Sequence, residues 1–293
     1  MQFLLNLLRG AVIGVAEIIP GVSGGTMAVL MKVYDKLIGS ISHLKKQFKK
    51  SVGFLLPLVI GMLAAIVALS HVIQFLLANY PMQVNFLFLG LILGILPMLF
   101  RKATEKKVRP AHVVPFFVTL AVMVVLACFY FTTDTSVVTQ MDALQFLRFM
   151  AVGFLAAICL MLPGISGSMV MVIFGIYSSV IAAVSSMHLV ILVPVAIGIL
   201  LGLAFGSKGI DFCLRHFPQP TYFAICGLVL GSAISLVQRA LYPDAAGKAL
   251  SLPGGGAIVA SLITLAVGIG ISLLFTSDRL TRGHAKKEGP QDA

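Results

Sequence analysis

The chain has 293 residues, 59% of them hydrophobic and only 11% charged, with a mean hydropathy of +1.05. Soluble domains carry roughly 25% charged residues, so a soluble globular fold is excluded. The net charge of +11 does not point to nucleic acid, because the lysines and arginines gather in short loops beside apolar runs, where they report cytoplasmic orientation and attract anionic headgroups.

Ten apolar segments follow in chain order, at 2–19, 24–42, 53–78, 84–100, 111–131, 145–162, 167–185, 189–206, 221–238 and 255–275. Most match the length needed to cross a hydrocarbon core of about 30 Å as helices, and none shows the short alternation of barrel strands. The first has no small-residue cleavage site before the next, so it reads as a resident segment and not a signal peptide. Between the first two lies Pro20-Gly21-Val22-Ser23-Gly24-Gly25. A basic loop with Lys45, Lys46, Lys49 and Lys50 precedes the third segment, and Arg101, Lys102, Lys106, Lys107 and Arg109 separate the fourth from the fifth. The connection 132–144 carries Asp134 and Asp142 without a lysine or arginine. Pro163-Gly164-Ile165-Ser166-Gly167-Ser168 then breaks the sixth segment from the seventh. Lys208 and Arg215 follow the eighth, Arg239 and Lys248 the ninth, and a tail over 277–293 holds Arg279, Arg282, Lys286 and Lys287.

The chain therefore states one plan twice. The two Pro-Gly-x-Ser-Gly loops align without a gap through Tyr34 and Tyr177. Pro57 and Gly61 match Pro194 and Gly198; Pro81, Gly90 and Gly94 match Pro218, Gly227 and Gly231; Thr119-Leu120-Ala121-Val122 matches Thr264-Leu265-Ala266-Val267. The expected organisation is a first repeat over 1–131, with a hairpin over 2–42, an external linker at 132–144, a second repeat over 145–276, with a hairpin over 145–185, and a polar cytoplasmic tail. Five segments per half is odd, so the halves are inverted, and the loop charges place the linker outside and both termini inside. The fold class is an all-α polytopic membrane protein of two inverted repeats. Whether the first two segments of each half form a re-entrant hairpin or two short spans stays open. Proline and glycine at the turn favour the hairpin, because backbone groups freed at membrane depth need protein or water partners.

The loops are the candidate substrate site. Helices beginning near Gly24 and Gly167 would aim free N–H groups at the apex, Ser23, Thr26, Ser166 and Ser168 add hydroxyls, and Gly21, Gly25 and Gly164 let an anion approach the backbone. The alternative is that these small residues only allow close helix packing. Glu17 lies in an apolar run beside the first loop, with Leu160 as its counterpart. An intramembrane carboxylate reads either as a proton relay or as an acceptor bracing the turn. Arg9, Lys36 and Arg148 are candidates to receive a headgroup at the hairpin mouths, against the alternative that they snorkel to the interface. The cysteines, Cys128, Cys159, Cys213 and Cys226, have no metal spacing, and His71, His112, His188 and His216 have none either. No catalytic, cofactor or metal site is expected: there is no P-loop, HExxH or GxSxG elbow.

The run Gly14-Val15-Ala16-Glu17-Ile18-Ile19-Pro20-Gly21-Val22-Ser23-Gly24-Gly25-Thr26, with Tyr34 and Leu37-Ile38, resembles the bacterial polyprenyl-phosphate transporter family, as does the second loop through Gly175-Ile176-Tyr177. The resemblance covers nearly all of the chain before Ser277. It implies a translocase of the cytoplasmic membrane that returns undecaprenyl phosphate to the inner leaflet for envelope biosynthesis, with Glu17, Ser23 and Ser166 on the family's motif. Lys32 departs from the Gly-Ile-Tyr pattern that the second half keeps. The residues alone leave two other readings: a transporter of a small soluble anion, and an integral-membrane lipid phosphatase, for which no nucleophile–base pair is visible. Oligomeric state and coupling ion are left open.

Overall fold

The computed structural model describes residues 2–19, 22–129, 138, 141–241 and 255–276. The described residues form helices throughout, in two runs of six. The first comprises α1 (Gln2–Ile18), α2 (Gly24–Leu30), α3 (Tyr34–Ser42), α4 (Phe48–Asn79), α5 (Pro81–Ala103) and α6 (Pro110–Phe129). The second comprises α7 (Ala143–Met161), α8 (Gly167–Ile173), α9 (Tyr177–Ser185), α10 (Leu189–His216), α11 (Pro218–Leu241) and α12 (Gly255–Thr276). Seven of them, α4 to α7 and α10 to α12, are long and apolar enough to cross a membrane. The protein is an all-helical polytopic membrane protein. The tail, most of the connection 132–144, Gly21, Lys248 and the side chain of Arg239 lie outside the described residues.

Several helices outrun the apolar stretches that announced them. α4 begins before 53, taking Lys49 and Lys50 into its first turns, and α5 extends past 100 through Arg101 and Lys102. Hydropathy marks the part in hydrocarbon, whereas backbone hydrogen bonding continues into the interface. Prolines open α5, α6 and α11, where a missing N–H costs nothing. Asp142 caps α7 by accepting the Gln145 N–H at 2.6 Å.

The segments 24–42 and 167–185 are each divided into two short helices, and α8 and α9 meet at 115°. The break has the same cause in both places. Lys32 has φ +56° and Gly175 has φ +67°, in the left-handed region that ends a helix. Lys32 N–H donates to Val29 O and Val33 N–H to Ala28 O, both at 2.9 Å; Gly175 N–H donates to Val172 O and Ile176 N–H to Met171 O, again at 2.9 Å. These are paired Schellman closures. A straight α2 of seven residues rises only about 10 Å, a third of a bilayer core.

Packing repeats along with the element order. α1 lies on α4 and α7 on α10, α5 meets α12 and α6 meets α11, while α5 and α11 pack together at the centre. A Cβ on Gly10 would strike the Leu58 carbonyl, and one on Gly153 the Val195 carbonyl; Gly61 stands against Leu7 O and Gly198 against Met150 O. These partners are equivalent positions of the sequence repeat. Lipid gives helices no hydrophobic reason to associate, so backbone approach through glycine supplies the van der Waals contact. The hairpins differ in enclosure. All seven residues of α2 are buried, and α3 reaches across to α10, whereas α8 buries Gly167, Met169 and Val170 and, with α9, leans on α7 and α10.

Candidate functional site: two loops in contact

The first loop is set by its failure to cap itself. α1 ends at Ile18, before Pro20, and Ser23 takes the extended N-cap conformation of α2 (φ −101°, ψ 130°) without a side-chain cap bond. The Gly24 N–H, the first amide of α2, donates to Glu17 Oε1 at 2.9 Å. Glu17 therefore places its carboxylate at the positive end of α2. A side chain at 24 would collide with that carboxylate.

Ser23, which makes no cap bond, turns to the other half of the molecule, and its Oγ donates to the Leu162 carbonyl at 3.3 Å. Gly164 N–H donates to Thr26 Oγ1 at 2.8 Å, joining residues 138 positions apart in a buried bond. Gly25 backs onto Pro163, and Gly164, at φ +92°, lies against the Leu228 backbone where no side chain fits. In the second loop Ser166 stands at the N-cap of α8, its Oγ 2.7 Å from Ser168 Oγ. Ser23, Thr26 and Ser166 are buried; Ser168 is exposed. The structure thus brings Ser23, Gly24, Gly25 and Thr26 together with Gly164, and Glu17 joins them through Gly24.

The three cations lie apart from this contact. Arg9 Nη1 donates to Asn6 Oδ1 at 3.1 Å, and Lys36 Nζ stands 4.8 Å from the centre of the Phe54 ring. Arg148 Nη2 donates to the Phe174 carbonyl at 2.7 Å, at the C-terminal end of α8, where a cation complements the helix dipole. Among the described residues no cluster has the makings of a metal site.

Sequence reasoning missed a polar cluster at the far end of α2. Lys102 Nζ donates to Asp35 Oδ2 and to Tyr222 OH, each at 2.9 Å, and Tyr222 OH donates to Asp35 Oδ2 at 2.8 Å. These residues tie α3, α5 and α11 together over separations of 67 to 187 positions, which no local motif could signal. They line a cavity of about 1000 Å³ that also touches Lys32, Tyr34 and Arg101. On α10, Asp211 accepts from Arg215 Nε at 3.0 Å, with His43 Nδ1 at 3.7 Å.

Long apolar helices, paired helix breaks and loops that meet inside the protein define a polytopic helical membrane protein. The sequence profile described as undecaprenyl phosphate translocase-like matches residues 13–242. The chain belongs to that family. A curated relative from Staphylococcus aureus, named polyprenyl-phosphate transporter, is 32% identical over 249 residues, covering 79% of this chain and 85% of the relative. One of the same name from Vibrio cholerae serotype O1 is 28% identical over 246 residues, covering 79% of this chain and 77% of the relative. No solved structure matches.

Proposed function

We propose that this protein moves undecaprenyl phosphate across the bacterial cytoplasmic membrane, returning the carrier lipid to the inner leaflet for envelope biosynthesis. The observation that carries the reading is the buried contact of the loops, Thr26 on Gly164 and Ser23 on Leu162, with a carboxylate already seated on the amide of Gly24. The halves are inverted repeats with both termini in the cytoplasm, as the loop charges require, and the hairpins enter from opposite faces.

In this scheme the phosphate lies between Ser23, Gly24, Gly25 and Thr26 on one side and Gly164, Ser166, Gly167 and Ser168 on the other. Phosphate and the Glu17 carboxylate compete for the same amide. Two anions in one poorly hydrated place repel strongly, so binding requires Glu17 to take up a proton or swing away. A proton gained as phosphate arrives and lost as it leaves would couple transport to the proton gradient. Arg9, Lys36 and Arg148 attract the headgroup at the mouths, while the polyprenyl tail stays in lipid. The unequal enclosure of the two hairpins supports alternating access, since a transporter at rest favours one side.

The test is leaflet-resolved movement of undecaprenyl phosphate in liposomes containing the purified protein, with imposed pH gradients. Movement well above that in protein-free liposomes is expected; movement no faster than in empty liposomes refutes the assignment.

A further inference from the structure

We propose that the cavity at the end of α2 binds a phosphomonoester carrying an apolar substituent, as a station separate from the loop contact. The inference takes its ligand class from the lipid-phosphate reading, but its geometry is independent of the loops. The cavity is about 1000 Å³, the upper end of the size of ordinary ligand pockets. Its lining carries Lys32, Arg101 and Lys102 with the acids Asp35 and Glu105, together with the apolar Val29, Met98 and Leu273. An amphiphile with an anionic head and a hydrocarbon stem matches that mixed lining.

Tyr34 supplies the second observation. Its residue is only 3% exposed and lines the cavity, and its hydroxyl is buried without a hydrogen-bond partner. Buried hydroxyls are almost always paired; this one, on a residue that lines the cavity, lacks the partner that a ligand oxygen reaching past the lining would supply. The nearest cation in sequence, Lys32, is exposed and occupies the left-handed position where the second half has Gly175. Lysine at a site that favours glycine is explained if its ammonium serves the ligand. Lys102 is already bound to Asp35 and Tyr222; a phosphate can take over that ammonium and loosen the tie between α3 and α11.

The cavity's place gives it a role. α2 runs from the loop contact to Lys32, about 10 Å, so a headgroup leaving the loops along α2 arrives here. The positions matching Lys32 and Asp35 in the second half are the uncharged Gly175 and Ser178, while Lys102 matches Arg239. The left-handed lysine and the acid of this station are therefore particular to the first half, on the face of the basic loop that follows Lys102.

The experiment measures binding of farnesyl phosphate, farnesol and inorganic phosphate to the full-length protein in detergent by titration calorimetry. Farnesyl phosphate is expected to bind, Lys32→Gly and Tyr34→Phe each to weaken it about fivefold or more, and Tyr177→Phe, at the matching position of the second half, to leave it within about twofold. Both pocket changes suit the local backbone or remove only an unpaired hydroxyl, so misfolding does not confound them. Affinity unchanged in both variants overturns the proposal, as does farnesol binding equally well. Equal competition by inorganic phosphate assigns the cavity to the free anion and overturns the lipid source. Liposome transport that persists while binding ignores both substitutions refutes the station alone; pocket binding without transport refutes the translocase reading alone.

Discussion

Glu17 takes the first amide of α2, while the N-cap serine turns away from its own helix and links one half of the molecule to the other. With Gly24 satisfied by the carboxylate, Ser23 reaches Leu162 and Thr26 receives Gly164. Thr26→Val keeps the shape but leaves the buried Gly164 N–H unpaired, which costs about 1–3 kcal/mol. Thermal unfolding in detergent should show the loss, and Thr26→Ser should restore most of it. Glu17→Gln retains an acceptor for Gly24, so the fold should survive within about 1 kcal/mol. If Glu17 carries the coupling proton, the variant's transport rate should no longer vary with imposed pH gradients. Full transport with the same pH response would remove Glu17 from the coupling scheme and leave it as a brace for the turn.

At the scale of elements, the Schellman breaks and the glycine crossings set where the loops lie. Lys32 holds a left-handed conformation that costs a non-glycine residue roughly 1–2 kcal/mol. Lys32→Gly should therefore raise the unfolding temperature or leave it unchanged, whereas Gly175→Ala should lower stability by about 1 kcal/mol. The opposite ranking would show that the α2–α3 break is not held by this closure. At the α1–α4 and α7–α10 crossings, Gly61→Ala and Gly198→Ala put a methyl onto the Leu7 and Met150 carbonyls. The helices must part, at a cost of about 1–3 kcal/mol each. Similar losses at the two sites are expected because the contacts are matched.

For the whole molecule, the tie formed by Asp35, Lys102 and Tyr222 joins α3 of the first half to α11 of the second. Its members are half-exposed, so the ion pair contributes under about 1 kcal/mol to stability; its importance is geometric. If the halves rock about the loops, fixing this tie should stop the cycle. In a protein with its four cysteines replaced by serine, Asp35→Cys with Tyr222→Cys, joined by a short cleavable bifunctional thiol reagent, should reduce liposome transport to the protein-free level. Cleaving the linker should restore it. Undiminished transport in the linked protein would show that this face stays closed throughout.

Composition and periodicity alone determined that the chain is helical and crosses a membrane, because hydrocarbon admits few backbone arrangements. They also located the helix breaks beside Pro20 and Pro163, since proline, glycine and serine act on the backbone locally. The division of 24–42 was hidden because Lys32 stands where glycine would have announced it, although Gly175 carried the signal for 167–185. What only the tertiary structure decided is which groups meet. Glu17 turning onto Gly24, Thr26 onto Gly164 and Lys102 onto Asp35 and Tyr222 are choices among polar groups far apart in sequence. They are settled by how closely the glycine-lined helices approach, a quantity no local pattern contains.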